Sequence, residues 1–209
     1  MDLKSLTSLY QIAFTHGRSW TVGEAVYHFS VSRAGILILA SGQVVACDPL
    51  FSGPRQPFIQ NVLPGRYPVD LAIVRSGDEQ EERIALARVM FTKNAPVVWV
   101  KAITTDGPDA DEGPVGYTAA TGTGAFMDAE TAERFKIDSL AEVDRLLDAL
   151  MANYRPVRNW LELSLDERHN VILFTSGIES GVYPSFFAVD AAGDICLLVT
   201  ACWTEPFLS

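Results

Sequence analysis

The sequence predicts an α+β protein: predominantly antiparallel β-sheet, as a sandwich or partly closed barrel, with one long amphipathic helix outside it. Three observations carry this reading. Apolar runs of strand length, alternating or continuous, recur through most of the 209 residues. Short turns separate them rather than helical crossovers, which favours antiparallel pairing. Only the stretch from Ser139 to Tyr154 has a sustained helical spacing of apolar residues.

Taken in order, Tyr27 to Val31 alternates as a half-buried strand does, and Gly35 to Ala40 is a continuous apolar run. Val44 to Cys47 reads as its hairpin partner, with the turn at Ser41-Gly42. Asp48-Pro49 stops that strand, because proline cannot donate to a ladder. Pro49, Pro54, Pro57, Pro64 and Pro68 then mark an ordered connecting loop. Tyr67 to Val74 alternates, with Val69, Leu71 and Ile73 on one face. The turn Ser76-Gly77-Asp78-Glu79 leads into Arg83 to Phe91, where Ile84, Leu86, Arg88 and Met90 oppose Ala85, Ala87, Val89 and Phe91. Pro96 to Ile103 is a further strand, holding Trp99.

The acidic Pro/Gly stretch from Gly107 to Pro114 reads as a hairpin or sheet-crossing loop rather than a domain boundary, so residues 1–209 are expected to form a single domain. A short helix is expected after Asp128. The long one begins at Ser139, which forms a capping box with Glu142. It carries Leu140, Val143, Leu146, Leu147, Leu150 and Met151 on one stripe, and Pro156 closes it. Val171 to Thr175, Ser185 to Val189 and Ile195 to Thr200 are the last strands; Asp190 to Asp194 turns the final hairpin.

The formal charge of −10 repels phosphate backbones and disfavours nonspecific nucleic-acid binding. It would attract a basic partner and steer it in faster. No apolar run approaches the ~20 residues that span a bilayer, and the start Met1-Asp2-Leu3-Lys4 has no secretory pattern, so a cytoplasmic protein is expected. Cys47, Cys196 and Cys202 are odd in number and lack paired spacing, so three reduced core thiols are expected.

Candidate chemistry is sparse. His16, His28 and His169 form no ligand pair, there is no C-x-x-C, and neither metal nor cofactor is expected. Gly122-Thr123-Gly124 lacks the remainder of a phosphate-binding motif and reads as a tight turn or bulge. The loop Ser176-Gly177-Ile178-Glu179-Ser180-Gly181 offers two hydroxyls, with a turn role for its glycines. Asp48, at a strand end before prolines, can act as acid, base or metal ligand, or can cap the turn that follows.

Several landmarks follow one another in a recognisable series. They run from Ser41-Gly42-Gln43-Val44-Val45-Ala46-Cys47-Asp48-Pro49 through Leu63-Pro64-Gly65-Arg66-Tyr67-Pro68-Val69 to Gly122-Thr123-Gly124-Ala125-Phe126-Met127-Asp128. Asn170-Val171 and Ser176 to Pro184 complete it. Over roughly residues 35 to 203 the chain resembles the bacterial family catalogued as domain of unknown function 4241. The resemblance implies no activity. It implies acidic residues at positions where this chain has Ala120, Ser180 and Ala201-Cys202, while Asp48 and Asp128 remain.

Two function classes follow. The first is a non-catalytic protein-binding module, such as an immunity protein neutralising a basic bacterial toxin, with Asp106, Asp109, Asp111 and Glu112 as its binding carboxylates. The second is a hydrolase-type enzyme using Asp48, Asp128, Glu179 and Ser180.

Overall fold

The computed structural model describes residues 3–51, 55–77, 81–104, 116–137, 139–152, 154, 158–177 and 180–207. Among the described residues, twelve strands form two sheets in which every pairing is antiparallel. The larger sheet contains β1 (Ser19–Val22), β2 (Ala25–Leu39), β4 (Gly65–Ser76), β5 (Glu82–Met90), β12 (Ile195–Ala201) and β11 (Gly181–Val189) in that spatial order. Beyond β11 lie β6 (Val98–Lys101) and β7 (Gly116–Ala119), each paired with a different half of it. The smaller sheet runs β3 (Val44–Cys47), β8 (Thr123–Asp128), β10 (Asn170–Thr175) and β9 (Trp160–Ser164). The larger sheet curls as a half-barrel.

Alternation along the strands sorts the apolar residues into three cores. Leu37, Leu71, Val89, Phe126, Phe174 and Phe187 fill the space between the sheets. The outer face of the larger sheet is covered by α1 (Leu3–Ala13) and by a short 3-10 turn, Glu205–Phe207. The outer face of the smaller sheet is covered by α2 (Ala129–Arg134) and α3 (Leu140–Met151). The molecule thus stacks helix, sheet, sheet and helix. Among the described residues, no helix is long and apolar enough to cross a membrane.

One buried side chain, Asn170, and one exposed one, Glu162, close one side of the sandwich. Asn170 accepts from the Ile38 N–H at 2.9 Å and donates to the Ile36 carbonyl at 2.7 Å, so it takes the place of a strand neighbour for β2. Glu162 adds a bond from the Ile36 N–H at 3.3 Å and accepts from Asn170 at 3.1 Å.

Three expectations need correction. Gly35–Ala40 and Val44–Cys47 do not form a hairpin: β2 stays in the larger sheet against β4, and β3 pairs with β8 in the other. At Ser41-Gly42 the chain turns a corner between sheets, with Gly42 at φ +83° and its carbonyl accepting from Val62. Next, the alternation in β5 breaks. The register shifts opposite Ala72/Ile73, so Ile84 points between the sheets while both Ala85 and Leu86 face outward, as a bulge produces. Finally, the single long helix is replaced by two helices of similar length, α1 with eleven residues and α3 with twelve. Among the described side chains of α3 only Leu146 and Leu150 are buried, while Leu147 and Met151 stand 42% and 56% exposed.

Candidate functional site

Asp48 sits just beyond β3, buried against the β7–β8 turn. Its carboxylate accepts from the Ala120 and Thr121 N–H groups at 2.8 Å each, from the Thr121 hydroxyl at 2.9 Å, and from the Leu50 N–H at 3.0 Å. Four donors use most of the lone pairs that a carboxylate has. The side chain therefore caps its own turn and ties it to the start of β8, the structural one of the two roles open to it. Ala120, where the family resemblance implied an acidic residue, contributes its backbone N–H to this cap.

Asp128 works in the same way at the other end of the β3–β8 pair. It is the N-cap of α2, accepting from the Glu130 N–H at 2.9 Å. Its second oxygen accepts from the Ser41 N–H at 3.0 Å and the Ser41 hydroxyl at 2.8 Å, fastening the corner between sheets. Asp128 pairs with Val44, four residues before Asp48. At ~3.4 Å per residue the backbone positions of the two residues stand about 14 Å apart along the strand.

Ser180 is exposed at the start of β11, next to the Gly181–Ala119 pair. It lines a cavity of about 600 Å³ with Arg83, Tyr183, Ala201, Cys202 and Trp203. Two of the positions where the family resemblance implied acids, 180 and 201–202, therefore share one cavity. Asp48 lines a different one, of about 310 Å³, with Cys47, Arg55, Phe58 and Tyr117. Asp48, Asp128 and Ser180 are thus not brought together, and Glu179 lies outside the described residues. So do Asp106, Asp109, Asp111 and Glu112, and with them the predicted binding loop.

The glycine motif is structural. Gly122 has φ +69°, and its carbonyl accepts from Ser176 N–H at 2.9 Å. A Cβ on Gly124 would lie 2.1 Å from the Tyr117 hydroxyl. Complete burial holds the Tyr117 phenol well above its ordinary pKa, an effect that the neighbouring Ser176 hydroxyl only partly offsets.

His16 and His28 are exposed, while His169 is buried in the β9–β10 turn. Its Nδ1 lies 2.7 Å from Asp166, and its Nε2 lies 3.7 Å from Glu130. The backbone N–H of Arg168, followed by His169, holds the Asp166 carboxyl below the usual range. All three thiols are buried and free. Burial raises Cys47 to about 12, against a smaller opposing effect of Arg55, and raises Cys196 and Cys202 as well. Thiols so shifted carry little thiolate, which is the nucleophilic form.

Sequence reasoning missed two charged groups. Asp70 is buried under α1, where it accepts from Arg33 at 2.5 Å and Arg88 at 3.0 Å. Arg88 in turn stacks on Phe14 at 4.1 Å and donates to the Tyr10 hydroxyl at 2.9 Å. The signal was an Asp–Arg pair on facing positions of two apolar strands, Asp70 opposite Arg88. The second group is a trough of about 370 Å³ between α2, α3 and β9, rimmed by Arg134, Lys136 and Arg145. Its trace in the sequence is the alternation of cation and apolar residue in Arg134-Phe135-Lys136-Ile137.

The family model for a protein of unknown function, DUF4241, matches residues 37–200. This chain belongs to the DUF4241 family. No curated protein and no solved structure matches it. The DUF4241 match spans β3 to β11 whole, with the last three residues of β2 and all but the last residue of β12, and so contains the smaller sheet, most of the larger one and the α2–α3 cover. α1, β1 and the Glu205–Phe207 turn, which close the outer face of the larger sheet, lie outside the matched residues.

Proposed function

We propose that this DUF4241 protein is a non-catalytic binding protein of the bacterial cytoplasm. Its partner is another protein with a basic surface, and neutralisation of a toxin, the role of an immunity protein, is the most concrete form. The observation that carries the reading is the use made of Asp48 and Asp128. Each carboxylate is occupied by backbone N–H groups and hydroxyls at the ends of turns, and the two are held apart by the length of β3. A general acid or base needs a lone pair or proton facing a substrate, and these face the backbone. The net charge of −10 supplies long-range attraction to a cationic partner.

One observation favours the hydrolase-type alternative: Ser180 lines the 600 Å³ cavity beside Arg83. Two measurements separate the readings. The first is association with the product of the neighbouring reading frame. Neutralising Asp106, Asp109, Asp111 and Glu112 is expected to slow association and flatten its salt dependence while leaving dissociation nearly unchanged. The second is Asp48→Asn. Under the binding reading it lowers stability by about 1.5–3 kcal/mol through lost charge-assisted bonds and leaves association unaltered. Turnover of any ester, amide or phosphoester that disappears in Asp48→Asn or Ser180→Ala would establish the enzyme instead.

A further inference from the structure

We propose that the trough between α2, α3 and β9 binds a medium-chain carboxylate, with the alkyl chain on its apolar floor and the carboxylate among its rim cations. The floor is made by Phe135, Ile137, Leu146, Leu163 and Leu165. Phe135 and Leu146 are buried in the core under α3, and Leu165 is 41% exposed at the open end. Apolar surface left in a concavity, rather than scattered singly, is the feature that marks a ligand site.

The rim decides the charge of the ligand. Arg134, Lys136 and Arg145 are all exposed around the floor, in a chain whose net charge is −10. Among the described residues neither Lys136 nor Arg145 is in an ion pair, and Arg134 reaches only Asp166, at 3.9 Å between exposed groups. Among the described residues the lining has one carboxylate, Glu142, which is engaged by the backbone N–H and hydroxyl of Ser139, both at 3.1 Å. The described residues of the trough thus present three cations and one tied acid, which is complementary to an anion. Guanidinium groups pair well with a carboxylate.

Size decides the rest. At about 370 Å³ the trough is near the lower end of small-molecule sites. It takes one alkyl chain rather than the two tails of a phospholipid.

The test uses the full-length protein, isotopically labelled, titrated with octanoate, decanoate and dodecanoate below their micellar concentrations. Backbone shifts are expected to move around residues 134–149 and 163–165. Each methylene that enters the floor is expected to tighten binding about fourfold until the trough is full. Decanol is expected to bind more weakly than decanoate. Lys136→Gln with Arg145→Gln is expected to weaken decanoate about tenfold, as two exposed ion pairs would. Ala149→Phe, a half-buried helix position that needs no core change, is expected to remove detectable binding.

Four outcomes overturn the proposal. One is affinity independent of chain length, and another is decanol binding as tightly as decanoate. A third is shifts that appear only with phosphatidylglycerol vesicles, which would make the site a membrane contact. The fourth is shifts that grow with protein concentration alone, which would seat a second copy of the chain there.

Discussion

The two outer covers of the sandwich differ in a way that their sequences do not announce. α3 has every local signal: a capping box in which Ser139 and Glu142 bond reciprocally, and apolar residues at helical spacing over three turns. Yet among its described side chains it buries only Leu146 and Leu150, and it leaves Leu147 and Met151 in solvent. α1 has no acidic residue in its first turn and no basic one in its last. It nevertheless buries Leu6, Leu9 and Ala13 completely. It also sets Tyr10 against Trp99 at 5.3 Å and Phe14 against the Arg88 guanidinium. Helices in proteins owe most of their stability to the face they pack rather than to propensity. α1 follows that rule, and α3 is a helix that its own sequence does much to hold.

Four measurements break or sharpen this contrast. The largest effect is expected at Leu9→Ala, which should cost about 3–5 kcal/mol in denaturant melts, against about 2–3 kcal/mol for Leu146→Ala. Equal losses would erase the distinction. The thiols give a second readout, because one lies under each cover: Cys196 beneath α1 and Cys47 beneath α3. In native-state alkylation followed by mass spectrometry, Cys47 is expected to label about tenfold faster than Cys196. Cys202, between the sheets, is expected to be no faster than Cys196. Denatured without reductant, the chain should titrate three thiols.

Ser139→Ala comes next, at about 1 kcal/mol, the usual worth of an N-cap. A loss near zero would mean that α3 is held by packing after all. Leu147→Ala is expected to change stability by less than about 0.5 kcal/mol, as exposed positions do. A loss of several kcal/mol would instead show that something covers this face in solution.

The same contrast explains what was legible. Strand alternation put Val69, Leu71 and Ile73 on one face, and they are there, between the sheets. The β4–β5 and β11–β12 pairings, the short helix after Asp128 and the three free thiols were all readable from neighbours a few residues apart. α1 was missed although Leu6, Leu9, Tyr10 and Ala13 carry helical spacing. β9 was missed because its strand, with exposed Glu162 and Ser164, alternates over only five residues.

At the candidate site the sequence singled out Asp48 by its place at a strand end, leaving its work open between chemistry and capping, and Asp128 through the family resemblance. Their partners are 72 or more residues away in two cases, Ala120 with Asp48 and Asp128 with Ser41. No local pattern names such partners.

By itself, then, the sequence determined the antiparallel sheet class, the cap of α3, the reduced thiols and the acidic charge, since each depends on spacing within a few residues or on composition alone. The tertiary structure alone decided that β2 and β3 part at Ser41-Gly42 into different sheets, that Ile84 turns inward at a bulge, and that Asn170 bonds the β2 backbone. It also decided that three cations meet over one apolar trough. Choosing a strand's partner, or gathering side chains from separate elements, is settled by loop closure and by burial summed over the whole chain, and neither quantity can be read from a window of neighbouring residues.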